Sequence, residues 1–264
     1  VRGDLLRVRE IMDGKHPAIY MDELATKARA MIRDFNLRIL PVTDGDKRLL
    51  GKVSRRDVMI ISSSKSSILV KGLMTAAKHV AMVDDDVMAT VKTMLRVDVW
   101  CAPVVTSSQD GTYRGVLGLE SFIEKQIETS PEKFATEVGE IMTRDVVTCS
   151  PEDGVERIWR LMQERRFAGL PVVKNGKLVG IVTHKDLLQS GAVLPTFESK
   201  KGRFSPKISS VMKTNLVAVE PSVKAIRVAK VMVSKDIGRV PVKDEGGRLV
   251  GIVDREDIVR LTVK

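Results

Sequence analysis

Two short patterns in this chain have the residue types and spacing to do chemistry: Ser54-Arg55-Arg56-Asp57 and Thr183-His184-Lys185-Asp186. Each sets a hydroxyl three residues ahead of a carboxylate, directly after a β-branched run and before apolar residues. Locally this is a helix-start signal, in which hydroxyl and carboxylate exchange hydrogen bonds with the first backbone N–H groups. The same groups have a second chemistry. A carboxylate at a helix start can accept from both hydroxyls of a ribose, as the acidic residue of dinucleotide folds does. The hydroxyl and the free N–H groups can meet a phosphate. Taken alone, the pattern reads first as a cap.

The elements that must position these residues recur. Met12, Met74, Met142 and Met212 are each followed, 29 residues on, by Pro41, Pro103, Pro171 and Pro241. A glycine comes next after a turn of variable length: Gly51, Gly115, Gly180 and Gly251. Six residues past those lie Asp57, Ser121, Asp186 and Asp257. Fixed offsets with variation confined to turns are the mark of an internal repeat. The copies divide as 1–67, 68–130, 131–200 and 201–264. The fold class is α/β, four β-α-β-β-α repeats. A unit of 50–60 residues buries too little apolar surface to stand comfortably alone, so adjacent copies are expected to pair through sheets and helices into two modules.

Within the third copy, Leu170–Val173 and Leu178–Val182 flank Asn175-Gly176, a tight-hairpin dipeptide. Helical stripes follow from spacing: Leu24, Ala28, Met31, Ile32; Val87, Val91, Met94, Leu95; Val155, Ile158, Trp159, Met162; and Ile226, Ala229, Met232, Val233. Asp22, the acidic run Asp84–Asp86, Ser150 before Pro151, and Ser222 are the expected helix starts. Glu124–Glu137, charged and containing Pro131, is the expected boundary between halves. The stretches Ile61–Ser67 and Ser190–Lys207 read as exposed connectors. The recurring prolines and glycines read as punctuation of strands and turns.

Bulk properties narrow the function classes. The 44 Lys/Arg against 34 Asp/Glu give a net charge of +10, which leaves phosphates, nucleic acids and acidic surfaces open as partners. Cys101 and Cys149 form no CxxC pair, and both read as reduced core residues. His16, His79 and His184 have no metal-ligand spacing, so no metal site is expected, and His79 reads as an ordinary loop residue. The first ten residues lack a signal-peptide pattern and no apolar run reaches the length of a membrane span, so a cytoplasmic, membrane-free protein is expected. No phosphate-binding loop or nucleophile elbow is present, and the repeats fill the chain, so a non-enzyme is expected.

The opening IM, the LPVV and LVGIVT runs and the closing T-x-x-D resemble the CBS domain, across nearly the whole chain and in four copies. The resemblance implies pairing into Bateman modules, two of which can associate as in the γ subunit of AMP-activated protein kinase. It implies adenosine-containing ligands between paired copies, AMP, ADP, ATP or S-adenosylmethionine, and no catalytic cofactor. It implies ribose and phosphate roles for Ser54, Asp57, Thr183 and Asp186, and retains Asp257. Arg55, Arg56, His184, Lys185, Arg239 and Arg255, beside the motifs, are candidates to neutralise phosphate. In the fourth copy Asp254 stands where the hydroxyl belongs and would repel a phosphate unless a cation intervened. The second copy has Gly118 and Ser121 instead, so a weak or empty site is expected there.

The leading expectation is a sensor that binds an adenine nucleotide and acts on a regulated protein, with module association inside one chain or in a homodimer both open. The competing readings are a nucleic-acid binder, supported only by the basic charge and disfavoured by the scarcity of aromatics, and a scaffold with vestigial clefts.

Overall fold

A computed structural model describes residues 5–61, 66–190 and 206–263. The central parts of the two expected connectors, 62–65 and 191–205, lie outside the described residues. The first copy comprises α1 (Val8–Ile11), β1 (Ile19–Tyr20), α2 (Ala25–Asp34), β2 (Ile39–Thr43), β3 (Leu49–Ser54) and α3 (Arg55–Val58). The second comprises β4 (Ala81–Met82), α4 (Val87–Arg96), β5 (Cys101–Val105), β6 (Tyr113–Gly118) and α5 (Leu119–Thr129). The third comprises α6 (Val138–Ile141), α7 (Val155–Arg165), β7 (Gly169–Lys174), β8 (Lys177–Thr183) and α8 (His184–Gln189). The fourth comprises α9 (Ala225–Ser234), β9 (Arg239–Lys243), β10 (Leu249–Asp254) and α10 (Arg255–Arg260).

In the first two copies a short parallel strand joins an antiparallel hairpin, in the orders β1-β2-β3 and β4-β5-β6. In the last two the parallel strand shrinks to single bridges, Cys149 with Val172 and Val219 with Val242. Every hairpin shifts register at the residue before its recurring glycine. Asn175 and Gly176 turn the third hairpin with φ of 52° and 75°, as the dipeptide predicts.

Those glycines do more than punctuate. A Cβ on Gly51 would lie 2.7 Å from the carbonyl oxygen of Thr75, and one on Gly180 would lie 2.9 Å from that of Lys213. Gly115 meets Asp13, and Gly251 meets Met142 and Thr143, in the same way. The residue after each repeating methionine thus runs against the strand of its neighbour. Bridges Lys52–Thr75, Asp13–Val116, Ile181–Lys213 and Thr143–Ile252 fix this lead-in. The exchange is reciprocal within the pairs 1–2 and 3–4, which makes the two modules.

The same lead-ins start the helices. Ala25, Val87, Val155 and Ala225 donate their N–H groups to Ile68, Leu6, Pro206 and Thr136 of the neighbouring copy. The expected side-chain caps at Asp22, Ser150 and Ser222 are therefore corrected: the N-cap residues are Leu24, Gly154 and Lys224, none with a side-chain cap bond. A backbone acceptor from the neighbour supplies what a cap would have. Only Asp86 caps as the acidic run predicts, accepting from Ala89 N at 2.8 Å.

Helix pairing is also corrected. The helices pack between non-adjacent copies, α5 against α9 and α10, and α3 and α2 against α8. One core is shared by copies 2 and 4 (Val91, Met94, Phe122, Val228, Met232), the other by copies 1 and 3 (Ile32, Leu40, Val53, Ile158, Met162). The modules associate within one chain. The expected half boundary is ordered structure: α5 runs to Thr129, and the 3₁₀ turn Pro131–Phe134 buries Phe134 completely. Among the described residues no helix is long and apolar enough to cross a membrane.

Gly51→Ala should lower stability by about 1–3 kcal/mol, because its methyl meets backbone and not a side chain that can turn aside. Gly45→Ala, with open space around it, should change stability by less than about 0.5 kcal/mol. Urea midpoints of the two variants check the contrast.

Candidate functional site

A cavity of about 760 Å³ lies where the two modules meet. It joins two equivalent clefts. One is formed by Ser54 and the lead-in 75–79 of copy 2, the other by Thr183 and the lead-in 213–217 of copy 4. Of the expected site residues, Ser54, Arg55, Arg56, Thr183, His184, Lys185, Asp186 and Arg239 line this one cavity. Asp57, Asp257 and Arg255 do not.

The two intact motifs are capping boxes. Ser54 Oγ and Thr183 Oγ1 donate to Asp57 Oδ2 and Asp186 Oδ2 at 2.7 and 2.6 Å. The backbone N–H groups of Ser54 and Thr183 donate to the same oxygens at 2.7 and 2.9 Å. The surroundings of the two carboxylates differ. Among the described residues Asp186 Oδ1 is buried with no hydrogen bond, and Lys213 Nζ lies 3.4 Å from it. In the first motif Lys52 Nζ lies 3.6 Å from Asp57 Oδ2. In the fourth, Asp254 accepts from Glu256 N and Asp257 N while its own N–H donates to Asp257 Oδ2. Burial first and Asp254 second push the Asp257 carboxyl up to about 6.

Arg255 is corrected as a phosphate ligand. It is fully buried and bound to Glu120 Oε2 at 3.0 Å and Asp236 Oδ1 at 3.1 Å. Arg55 is committed to the end of α2, donating to Leu37 O and to Asn36 O and Oδ1. Burial, with Arg38 beside it, lowers the Arg55 pKa to about 10. His184 packs edge-on against Trp159, its Nε2 without a hydrogen-bond partner among the described residues. Burial, then Arg239, Arg56 and Arg55, push its pKa down to about 4. It is a neutral donor or acceptor at pH 7, and carries no charge toward an anion in the open cavity.

Several site residues escaped sequence reasoning. His79, expected as an ordinary loop residue, lines the cavity, as do Lys52, Lys78 and Trp100. Cys101 is not a core residue; it lines the cavity, whereas Cys149 is buried as expected. Asp236 receives Asn36 Nδ2 at 2.9 Å, Arg38 at 2.5 Å and Arg255 at 3.1 Å, tying copies 1 and 4 across the centre. Burial raises its carboxyl, and Arg38 and Arg255 outweigh burial to leave it below the usual range. Asn36, Asp98, Arg166 and Asp236 stand 24 residues after their methionines, all with positive φ, a regularity visible as four aligned positions. Trp100 sits against Gly238, donates to Glu256 Oε1 at 2.8 Å and lies 4.8 Å under Arg239. A second cavity, of about 400 Å³, adjoins Gly118 and Ser121 of copy 2 and is acidic, with Asp13, Glu120, Glu124 and Asp236 around Arg38.

The model of the CBS domain matches residues 8–64, 138–192 and 208–264. The chain belongs to the CBS-domain family. Copy 2 lies outside the matched residues yet keeps the strand and helix order of this CBS protein's other repeats. An uncharacterized protein of Methanocaldococcus jannaschii, MJ1225, is 24% identical over 97% of this chain and 98% of its own length. The crystal structure of MJ1225, described as a candidate archaeal homologue of γ-AMPK, superposes with a TM-score of 0.85 over 97% of this chain and 100% of that one, at 22% identity. The inosine-5'-monophosphate dehydrogenase of Korarchaeum cryptofilum is 32% identical over 54% of this chain, which spans only 28% of that enzyme's length. The four-repeat frame is thus shared with MJ1225 over its full length.

The depressed His184 pKa has a pH consequence. The unfolded chain, with histidine near 6.5, binds the proton more readily than the fold, so stability falls as pH drops through about 6.5 to 4. Asp257, raised to about 6, acts with the opposite sign between about 4 and 6. The histidine part is isolated by His184→Gln. Relative to the parent, this variant should gain about 2 kcal/mol between pH 7 and pH 4.5, read from urea midpoints at both pH values.

Proposed function

We infer that this CBS protein is a non-catalytic regulator that binds an adenine nucleotide in the central cavity and passes its occupancy to a partner protein. The observation that carries this reading is the charge around the cavity: nine Lys/Arg against three Asp. Arg56, Lys185 and Lys235 hold no side-chain hydrogen bond or contact ion pair among the described residues. Such a cluster repels itself, and burial together with Lys213 and Arg55 lowers the Lys185 pKa. A bound phosphate relieves that repulsion. Because the cations converge inside a concavity, a small anion suits them better than the extended backbone of a nucleic acid.

The remaining parts of a nucleotide also find complements. Asp186 Oδ1, buried and lacking a hydrogen bond, suits a ribose hydroxyl. Leu216, Val217 and Ile237 offer an apolar wall to a flat base. S-adenosylmethionine brings a sulfonium cation and no phosphate, so the positive cavity favours AMP, ADP or ATP over it. A non-catalytic role is supported by the state of the nucleophiles: the Ser54 and Thr183 hydroxyls are held in capping boxes, and burial pushes the Cys101 thiol up to about 12. Ligand that prefers one relative setting of the modules shifts the population toward it, and with it any partner-binding face.

Calorimetry and thermal unfolding with AMP, ADP, ATP and S-adenosylmethionine test the reading. A nucleotide at 100 times its Kd should add about 2.7 kcal/mol of stability. Asp186→Asn, which keeps the shape and loses the charge, should weaken binding about tenfold or more. No heat and no thermal shift with any of the four at millimolar concentration would sink it.

A further inference from the structure

We propose that the central cavity takes one nucleoside polyphosphate lying across both modules, its nucleoside end beside Asp186 and its phosphate chain reaching Lys52 and Lys78. This rests on the nucleotide-binding reading above and adds orientation and stoichiometry to it.

The two clefts are equivalent by repeat and unequal in chemistry. Asp186 lines the cavity, is 5% exposed, and has one oxygen with no hydrogen bond among the described residues. Asp57, its counterpart, is not on the cavity wall, and Lys52 lies 3.6 Å from it. The position of Lys52 in the first copy is that of Ile181 in the third. Of the two motif carboxylates, only that of Asp186 therefore lines the cavity. The lead-in walls differ in the same sense. Lys78 and His79 face the cavity where the other module presents Leu216 and Val217. One end sets Leu216 and Val217 beside the buried Asp186 carboxylate, with Lys213 Nζ 3.4 Å from it, which suits a base and its sugar. The other presents Lys52 and Lys78 to the cavity while Asp57 stays off its wall, which suits phosphate.

Arg55 and Arg56 of one module and Lys185 and Arg239 of the other line the same cavity, so cations of both modules meet at the join. A single phosphate carries about two negative charges. The excess of six cations over the whole cavity is far more than one such group needs, and it extends beyond the Thr183 motif into the other module. Two separate mononucleotides would leave the Lys52 end without a ribose acceptor. One elongated anion uses both ends as they are built.

Calorimetry on the full chain with ATP, AMP and inorganic tripolyphosphate decides this. Expected are one equivalent of ATP per chain, ATP tighter than AMP by about tenfold or more, and displacement of ATP by tripolyphosphate. In a Lys52→Met, Lys78→Met double variant, ATP affinity should fall about tenfold while AMP affinity holds. Two equivalents of ATP, equal affinities for ATP and AMP, or equal losses for both in the double variant would overturn the proposal and leave nucleotide binding standing. Absence of heat with every probe would remove both.

Discussion

The structure depends on one close approach: the carbonyl after each repeating methionine pressed onto the recurring glycine of its neighbour's strand. A side chain at Gly51 or Gly180 would hold the lead-in away. With it in place, the lead-in can bridge the strand, satisfy the first N–H of the neighbour's helix, and continue as one wall of a cleft. The pairing of copies and the building of the cleft are thus the same event. Because lead-ins join adjacent copies, the helices are free to pack across modules, and each core is completed by a non-adjacent repeat. No copy owns a core of its own, in keeping with the poor burial expected of so short a unit.

The motif residues show how one local structure supports unequal chemistry. Three of the four copies make a capping box at the same place, with nearly the same hydrogen bonds. What separates them is the surroundings of the carboxylate: one oxygen of Asp186 is buried without a hydrogen bond among the described residues, the capping oxygen of Asp57 has Lys52 3.6 Å away, and burial with Asp254 raises the Asp257 carboxyl. Charge compensation is similarly uneven. Asp236 anchors Arg38 and Arg255, whereas Arg56 and Lys185 face the cavity without a contact ion pair. The cavity's field is the remainder after the structural pairs are made.

Much of the frame was legible in the chain, because it is local or periodic. The hairpin at Asn175-Gly176, the apolar stripes of α4 and α7, and the Ser/Thr-x-x-Asp helix starts all depend on neighbours a few residues away. The failures share a different cause. Caps expected at Asp22, Ser150 and Ser222 lost to backbone acceptors supplied by another copy. Arg255 occupies the position of Arg55 in the repeat, yet its environment is set by Glu120 of copy 2, 135 residues away. The places of His79, Lys52 and Trp100 in the site likewise come from convergence between copies. Spacing within one copy carries no record of such convergence, although the offset shared by Asn36, Asp98, Arg166 and Asp236 was open to inspection.

Those four positions have a further consequence. Each closes a helix in the left-handed region, where asparagine and aspartate are the residues least penalised after glycine. The backbone therefore asks only for that conformation and leaves the side chain free to vary. Asn36, Asp98 and Asp236 place theirs at the inner cavities, while Arg166 lines neither. The frame thus has four equivalent corners, filled here by an amide, two acids and a base, of which Asn36 and Asp236 are also tied to Arg55, Arg38 and Arg255. A duplicated architecture of this kind can diversify what its centre recognises one corner at a time.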